Sequence, residues 1–294
     1  MSGMEDTSRP PGFVALGHPG ASLLARSRKD TPAREYPCEY VFRPLAHLLV
    51  LALLPLRVPP VLVLLAGTAT GLGAALVLGR GDLLLAALLL QAKTILDNAD
   101  GQLARASGRV SVVGRYLDSE SDLLVNAGLF VALGHVTGHY VLALVAFVVL
   151  TLVLSADFNL EVLYRRERGE DVEPMPGGSG RLELVLARVY ALVYAPHDRL
   201  LERLVEWRLG RLRADRSARL AYHDRSTLAV VAQLGLSTQL AALGLCLALG
   251  RPQAYLWLVL GCGLLLVPLA LRRERLARAD VPFPKLALDE RRSA

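Results

Sequence analysis

The stretch ILDNADGQLARASGRVSVVGRYLDSESDLLV, residues 95–125, decides how the rest of the chain is read. It sets four carboxylates, Asp97, Asp100, Asp118 and Asp122, between two strongly apolar runs. An ionised group near the centre of a membrane-length apolar segment costs roughly 3 kcal/mol, so such groups mark a functional site by default. At 100° per residue, Asp97, Asp100, Gly101 and Ala104 share one helix face, with Arg105 at its edge. Gly114, Asp118 and Asp122 share one face of a second helix, at i, i+4 and i+8. If the two helices pack side by side, the carboxylates converge. That much negative charge requires a cation, and hard oxygen ligands suit Mg²⁺ or Mn²⁺.

The same positions read D-x2-D-G-x2-A-R-x8-G-x3-D-x3-D without a departure. This resembles the signature of the CDP-alcohol phosphatidyltransferases, integral membrane enzymes of phospholipid synthesis. Eight specified positions at fixed spacing are far more specific than a lone glycine motif. The resemblance is sharp over about thirty residues, and elsewhere only the hydropathy pattern supports it. It implies that Asp97, Asp100 and Asp118 hold a divalent-metal pair bridging the CDP diphosphate. It also implies that Asp122 is the general base for the acceptor hydroxyl and touches metal as well. Gly101, Ala104, Arg105 and Gly114 would then meet the CDP moiety. The small residues allow close backbone approach, and Arg105 offers a fixed fork of donors to a phosphate. One region departs from the family, whose members often begin the first span with Pro-Asn followed shortly by Thr. Here VPPVLV puts Pro60 at the Asn position and Val63 near the Thr, which removes a polar contact to the site.

Composition agrees with an all-α polytopic membrane protein built as one domain. Mean hydropathy is +0.40 and 53% of residues are hydrophobic, with aromatics at only 6%. The 33 basic residues against 27 acidic ones fit loops facing an anionic membrane surface. No basic groove interleaved with aromatics points to nucleic acid. Cys38, Cys246 and Cys262 lack zinc-ligand spacing and read as unpaired thiols. Residues 1–41 are polar and Pro-rich with no apolar h-region, so they read as a flexible cytoplasmic tail rather than a secretory signal.

The run FRPLAHLLVLALLPL, 42–56, is too short to span and suits an interfacial helix. The alternative, the front of a long first span, is opposed by Arg57, Pro59 and Pro60. Six spans follow, near 59–79, 82–105, 115–134, 139–164, 225–249 and 253–271. The membrane domain therefore covers 42–272, with a polar insert at about 169–222 and a cytoplasmic C-terminal tail at 273–294. The insert opens with the turn-rich EPMPGGSG, which lacks the Lys-Ser/Thr of a phosphate loop. Its remainder alternates Arg with apolar residues, as two amphipathic helices broken at Pro196 and lying on the membrane or covering the site. Arg is concentrated in the N-terminal tail, the 105–115 loop, the insert and RRERLAR, 272–278. The positive-inside rule then puts both termini and the aspartates on the cytoplasmic side.

Lys93 sits one turn before Asp97 and pairs with it or with substrate; pairing with Asp97 is the simpler reading. His135 and His139 fall in an external connection and read as non-metal residues. Arg165, Arg166, Arg168 and Arg225 flank the fourth and fifth spans, where Arg is expected from topology alone. Of these, Arg165 and Arg225 are the candidates for an acceptor phosphate. The resemblance implies transfer of a phosphatidyl group from a CDP-linked donor, most simply CDP-diacylglycerol, to an alcohol acceptor with release of CMP, in a homodimer among membrane lipids. Two alternatives stand beside it: transfer of a CDP-linked head group to a lipid alcohol, and a divalent-cation path through a transporter. A transporter places ion sites near the bilayer midplane, often at a repeat interface. Here the carboxylates lie near helix ends, Arg105 would repel a passing cation, and no internal repeat is visible.

Overall fold

A computed structural model describes residues 31–170 and 195–279, with positions 180, 184, 185, 188 and 191 between them. Among the described residues every regular element is helical. A π-helical turn, Cys38–Phe42, runs directly into α1 (Arg43–Leu53). The following turn holds Arg57 at φ 53°, and the backbone restarts as α2 (Pro60–Gly79). Proline is favourable there because the missing N–H would have no intrahelical partner anyway. Residues 42–56 thus form a helix separate from the first span.

α3 (Leu83–Ser107) opens on Asp82, whose carboxylate accepts from Leu85 N–H at 3.1 Å, and closes on left-handed Gly108. α4 (Val112–Thr137) opens on Ser111 and closes on left-handed Gly138. α5 (Tyr140–Glu167) follows. Beyond the insert come α6 (Ala195–Arg211), α7 (Arg216–Tyr222), α8 (Arg225–Val231), a 3₁₀ turn at Ala232–Leu234, α9 (Leu236–Ala248) and α10 (Pro252–Arg278).

Each of the six expected spans coincides with helix. Among the described residues, α2, α5 and α10 are long and apolar enough to cross a membrane. A fourth crossing arises if Arg216–Leu234 and α9 count as one span bent by 42°. α3 and α4 fall short because their motif halves carry the charges. Of the six segments expected to span, three, or four with the bent pair, pass on length and apolarity among the described residues.

α2 is the central element, packing along both α3 and α4, while α9 lies on α3 and α10 on α5. Leu78, Leu90, Leu129, Leu133, Leu150, Leu243, Leu256 and Val259 fill the main core. Absent side chains set how closely the helices approach. A Cβ on Gly71 would fall 2.7 Å from Val125 Cγ1, and one on Gly244 would fall 2.1 Å from Gln91 Nε2. A second cluster, Ala46 and Val50 with Val63, Ala99, Leu103 and Ala106, seats α1 against the first half of the motif. Val63 is thus core, and the start of α2 offers the site no polar side chain there.

Two boundaries move. Residues 31–41, read as tail, pack against the bundle through Glu35, Tyr36 and Cys38. At the other end α10 continues to Arg278, and Arg273, only 6% exposed, donates to the Tyr222 carbonyl at 2.9 Å. Residues 1–30 and 280–294 lie outside the described residues, as does most of the insert before Pro196. After that proline the insert packs on α5 through Val205 and Leu209 rather than over the site. Asn159 and Ser155 of α5 donate to Asp198 Oδ1 of α6 at 2.7 and 3.1 Å.

Candidate active site

The two halves of the motif do not pack side by side along their length. α3 and α4 make little direct contact, and each leans on α2 instead. The glycines of α2 let both helices close onto it, and Lys93 bridges the gap between them. A Cβ on Gly67 would lie 2.9 Å from Asp97 Oδ1, and one on Gly71 would lie 3.1 Å from Lys93 Cγ.

A cavity of about 180 Å³ opens in this cleft. Asp97, Thr94 and Asn98 line it from α3, Asp118 and Asp122 from α4, and Leu236, Ser237 and Leu240 from α9. Asp118 is exposed, whereas Asp97 and Asp122 are largely covered. Asp100 lies just outside the cavity wall, 7% exposed, within Coulomb range of Asp118, Asp97 and Asp122. Its Oδ2 is buried without a hydrogen-bond partner.

Lys93, only 2% exposed, bridges two of these carboxylates at once. Its ammonium pairs with Asp97 Oδ2 and lies 2.5 Å from Asp122 Oδ1. The pairing with Asp97 follows from i, i+4 spacing, but the link to Asp122 crosses from α3 to α4. Arg105 folds back along α3 over Gly101, so that a Cβ on Gly101 would stand 3.3 Å from its NH1. Ala104 is half-buried on the same helix, and Gly114 N–H donates to Ser111 Oγ at the start of α4. Gly101, Ala104, Arg105 and Gly114 all lie outside the cavity lining.

The chemistry of this donor set fits a hard divalent cation. Three carboxylates line one cavity, and beside it the orphaned Asp100 Oδ2 is a buried acceptor with nothing to accept from. The spacing is not that of a finished coordination shell: among the described residues no three His, Cys, Asp or Glu side chains stand close enough to hold a metal ion. Lys93 holds Asp97 and Asp122 where a cation would act on them.

The remaining candidates lie elsewhere. Arg165 pairs with Glu161 at 3.1 Å and Glu170 at 3.4 Å, Arg225 is exposed at the start of α8, and neither lines the cavity. Arg166 pairs with Glu202 at 2.6 Å. Arg168 donates to the Tyr164 and His223 carbonyls, and its guanidinium stacks on the Tyr164 ring. His135 meets the Tyr140 hydroxyl at 3.0 Å.

Several residues at the site carried little or no signal in the sequence reading. Gly67 and Gly71 form a small-x3-small pair inside an apolar span, a pattern that reports close helix approach. Asn98 stands between two signature aspartates. Ser237 and Glu35 are brought in by packing alone. The Glu35 carboxyl is pushed up from its ordinary range by burial, against hydrogen bonds from Thr238. The Cys38 thiol is pushed up by burial and by the Glu35 charge.

An all-helical bundle with three or four apolar spans and an acidic cleft near the ends of two helices defines an integral membrane protein with a polar site. The chain belongs to the CDP-alcohol phosphatidyltransferase family, which it matches over residues 48–207. That range holds the whole aspartate motif. No curated protein matches the chain. The family is a transferase family for substituted phosphate groups, generally dependent on divalent metal, and it joins a CDP-linked donor to an alcohol acceptor.

Proposed function

We propose that the protein transfers a phosphatidyl group from CDP-diacylglycerol to an alcohol acceptor in the cleft between α3 and α4. The observation that carries this reading is the approach of Asp97, Asp118 and Asp122 to one cavity, with the buried Asp100 carboxylate behind them. Asp97, Asp100 and Asp118 are the residues assigned to hold divalent cations, with Asp122 adjacent. A divalent cation such as Mg²⁺ or Mn²⁺ held by these carboxylates would supply charge neutralisation for the donor's diphosphate.

Asp122 takes the proton of the acceptor hydroxyl. The acceptor oxygen forms a new P–O bond to the phosphatidyl phosphorus, the P–O bond to CMP breaks, and CMP departs with the electron pair. Lys93 must leave Asp122 before that carboxylate can take a proton, which makes its contact there a resting-state contact. Gly101, Ala104 and Gly114 leave room for the nucleotide, and Arg105, folded over Gly101, swings to its phosphates. Arg165 and Arg225 would meet an acceptor that itself carries a phosphate. The Arg-rich connections support a cytoplasmic setting for this end of the bundle, and the resemblance implies a homodimer.

The test supplies labelled CDP-diacylglycerol and a panel of alcohols to the purified protein and identifies the lipid product. One labelled phosphodiester with equimolar CMP is expected. Product only from a CDP-linked head group and diacylglycerol would reverse the donor assignment.

A further inference from the structure

The N-terminal residues ahead of α1 form a strap beside the cleft, tied to the start of α9 and to Asn98 of its lining. At one end Gln233 grips the strap backbone twice, accepting from Tyr36 N–H at 3.0 Å and donating to the Arg34 carbonyl at 2.7 Å. At the other end the Cys38 thiol donates to Asn98 Oδ1 at 3.1 Å, one residue beyond Asp97. Between them the Glu35 carboxylate lies on the start of α9 and accepts from Thr238 N–H at 2.5 Å.

α9 has no cap of its own. Its N-cap is Gly235, in extended geometry with no side chain to accept from the first-turn N–H groups. The missing side chain also makes room for the strap: a Cβ on Gly235 would fall 2.8 Å from Glu35 Oε2. The first two turns of this helix, through Leu236, Ser237 and Leu240, are the wall of the aspartate cavity.

We infer that Glu35 is a positioning residue for the transfer reaction, capping α9 from outside its own sequence so that the break at Gly235 presents Ser237 and Leu240 to the aspartates. This rests on the cleft being the transferase site. An acceptor 203 residues away ties the bend of the span to the strap, and the strap to the helix carrying Asp97 and Asp100. Removing the acceptor frees the first-turn N–H groups and lets the wall shift.

The experiment uses the full-length protein in lipid nanodiscs with CDP-diacylglycerol and the alcohol identified above. Glu35→Ala is expected to lower kcat/KM ten- to a hundredfold, the loss associated with a charged hydrogen bond, while the unfolding temperature moves by no more than about 3 °C. Glu35→Gln keeps an oxygen that accepts from Thr238 N–H and should stay within about threefold of the parent. Gly235→Ala pushes Glu35 away without removing any polar group. It should reproduce the Glu35→Ala loss, and the double variant should be no worse than either single one.

A second readout needs no turnover. With the native cysteines replaced by serine, Ser237→Cys should react with a water-soluble maleimide at least fivefold faster when Glu35 is alanine. Gln233→Leu, which loosens the strap at its other anchor, should raise that rate too, and it serves where Glu35→Ala does not fold. Unchanged turnover and labelling in Glu35→Ala, additive losses with Gly235→Ala, or failure of Glu35→Gln to rescue would each overturn the inference. Absence of CMP release by the parent protein with every acceptor would instead overturn the reaction on which it rests.

Discussion

Two charged regions of this molecule are built on opposite plans. Where α5, α6, α7 and α10 meet, arginines and acids are matched. Arg219 reaches Glu167 at 2.6 Å and Glu206 at 2.7 Å, Arg208 pairs with Glu274, and Arg272 lies 2.9 Å from Asp224. In the cleft between α3 and α4, four signature aspartates approach one another, Lys93 is shared between two of them, and Asp100 Oδ2 is buried without a partner. Matched charge fixes geometry and then has nothing left to offer a ligand. Carboxylates gathered without that matching cost stability unless something else supplies positive charge. The second region is therefore the one we propose for the chemistry, and the contrast can be broken experimentally.

The largest expected effect is metal removal. Chelation with excess EDTA should abolish turnover, and Mg²⁺ or Mn²⁺ should restore it. Calcium should restore little, because its longer and looser coordination misplaces the diphosphate. Full activity in EDTA would mean that Lys93 and Arg105 suffice for the cleft, which would erase the difference between the two regions.

Next in size is the loss of the base. Asp122→Asn should lower kcat by about 10²–10⁴-fold, the usual worth of a general base, with donor binding retained. Asp97→Asn and Asp118→Asn should instead weaken Mn²⁺ and CDP binding, read by titration calorimetry. Near-normal turnover in Asp122→Asn would remove that residue from the proton transfer.

Arg105→Ala should cost less, about ten- to a hundredfold in CDP affinity, since a lost hydrogen bond to a charged group is worth roughly 1.5–3 kcal/mol. Gly101→Leu should block CDP by occupying the space into which the nucleotide and Arg105 must both fit. A bare cation site predicts unchanged or tighter Mn²⁺ binding in Arg105→Ala and no effect on CDP.

How much of this was legible beforehand follows from the range of each interaction. The signature residues, the Lys93–Asp97 pair, the break at Pro59–Pro60 and the helical nature of every span rest on spacings of a few residues, which a sequence displays directly. The splay of α3 from α4 does not. It depends on α2 lying beneath both helices, a placement that no local spacing displays. The reach of Lys93 to Asp122 spans 29 residues, and the strap joins Glu35 to Thr238 across 203. Residues 31–41 look like tail because Pro and charge dominate them. They pack because Gly235 leaves a space for one carboxylate, and no local pattern announces such a space. α3 and α4 are less apolar than the other long helices because the motif charges lie within them.

The smallest effects make the sharpest comparison, because they should differ in sign. Asp100→Asn removes a carboxylate whose Oδ2 is buried and unpartnered. Measured in EDTA, that substitution should leave the unfolding temperature unchanged or raise it, since a buried carboxyl oxygen without a partner is replaced at nearly constant volume. Arg219→Gln removes a cation held between two glutamates in the matched region. It should lower stability by about 1 kcal/mol, within the range for partly exposed ion pairs, or a few degrees in a chain of this size. Turnover should divide the other way. Asp100→Asn should lose Mn²⁺ binding and activity together, whereas Arg219→Gln should keep both. Thermal unfolding with and without Mn²⁺ separates the two regions in one experiment: added metal should stabilise the parent and Arg219→Gln alike, by RT ln(1 + [L]/Kd), and should do little for Asp100→Asn. Equal metal-induced stabilisation in all three would show that Asp100 is not part of what holds the cation, and the orphaned oxygen would need a structural reason instead.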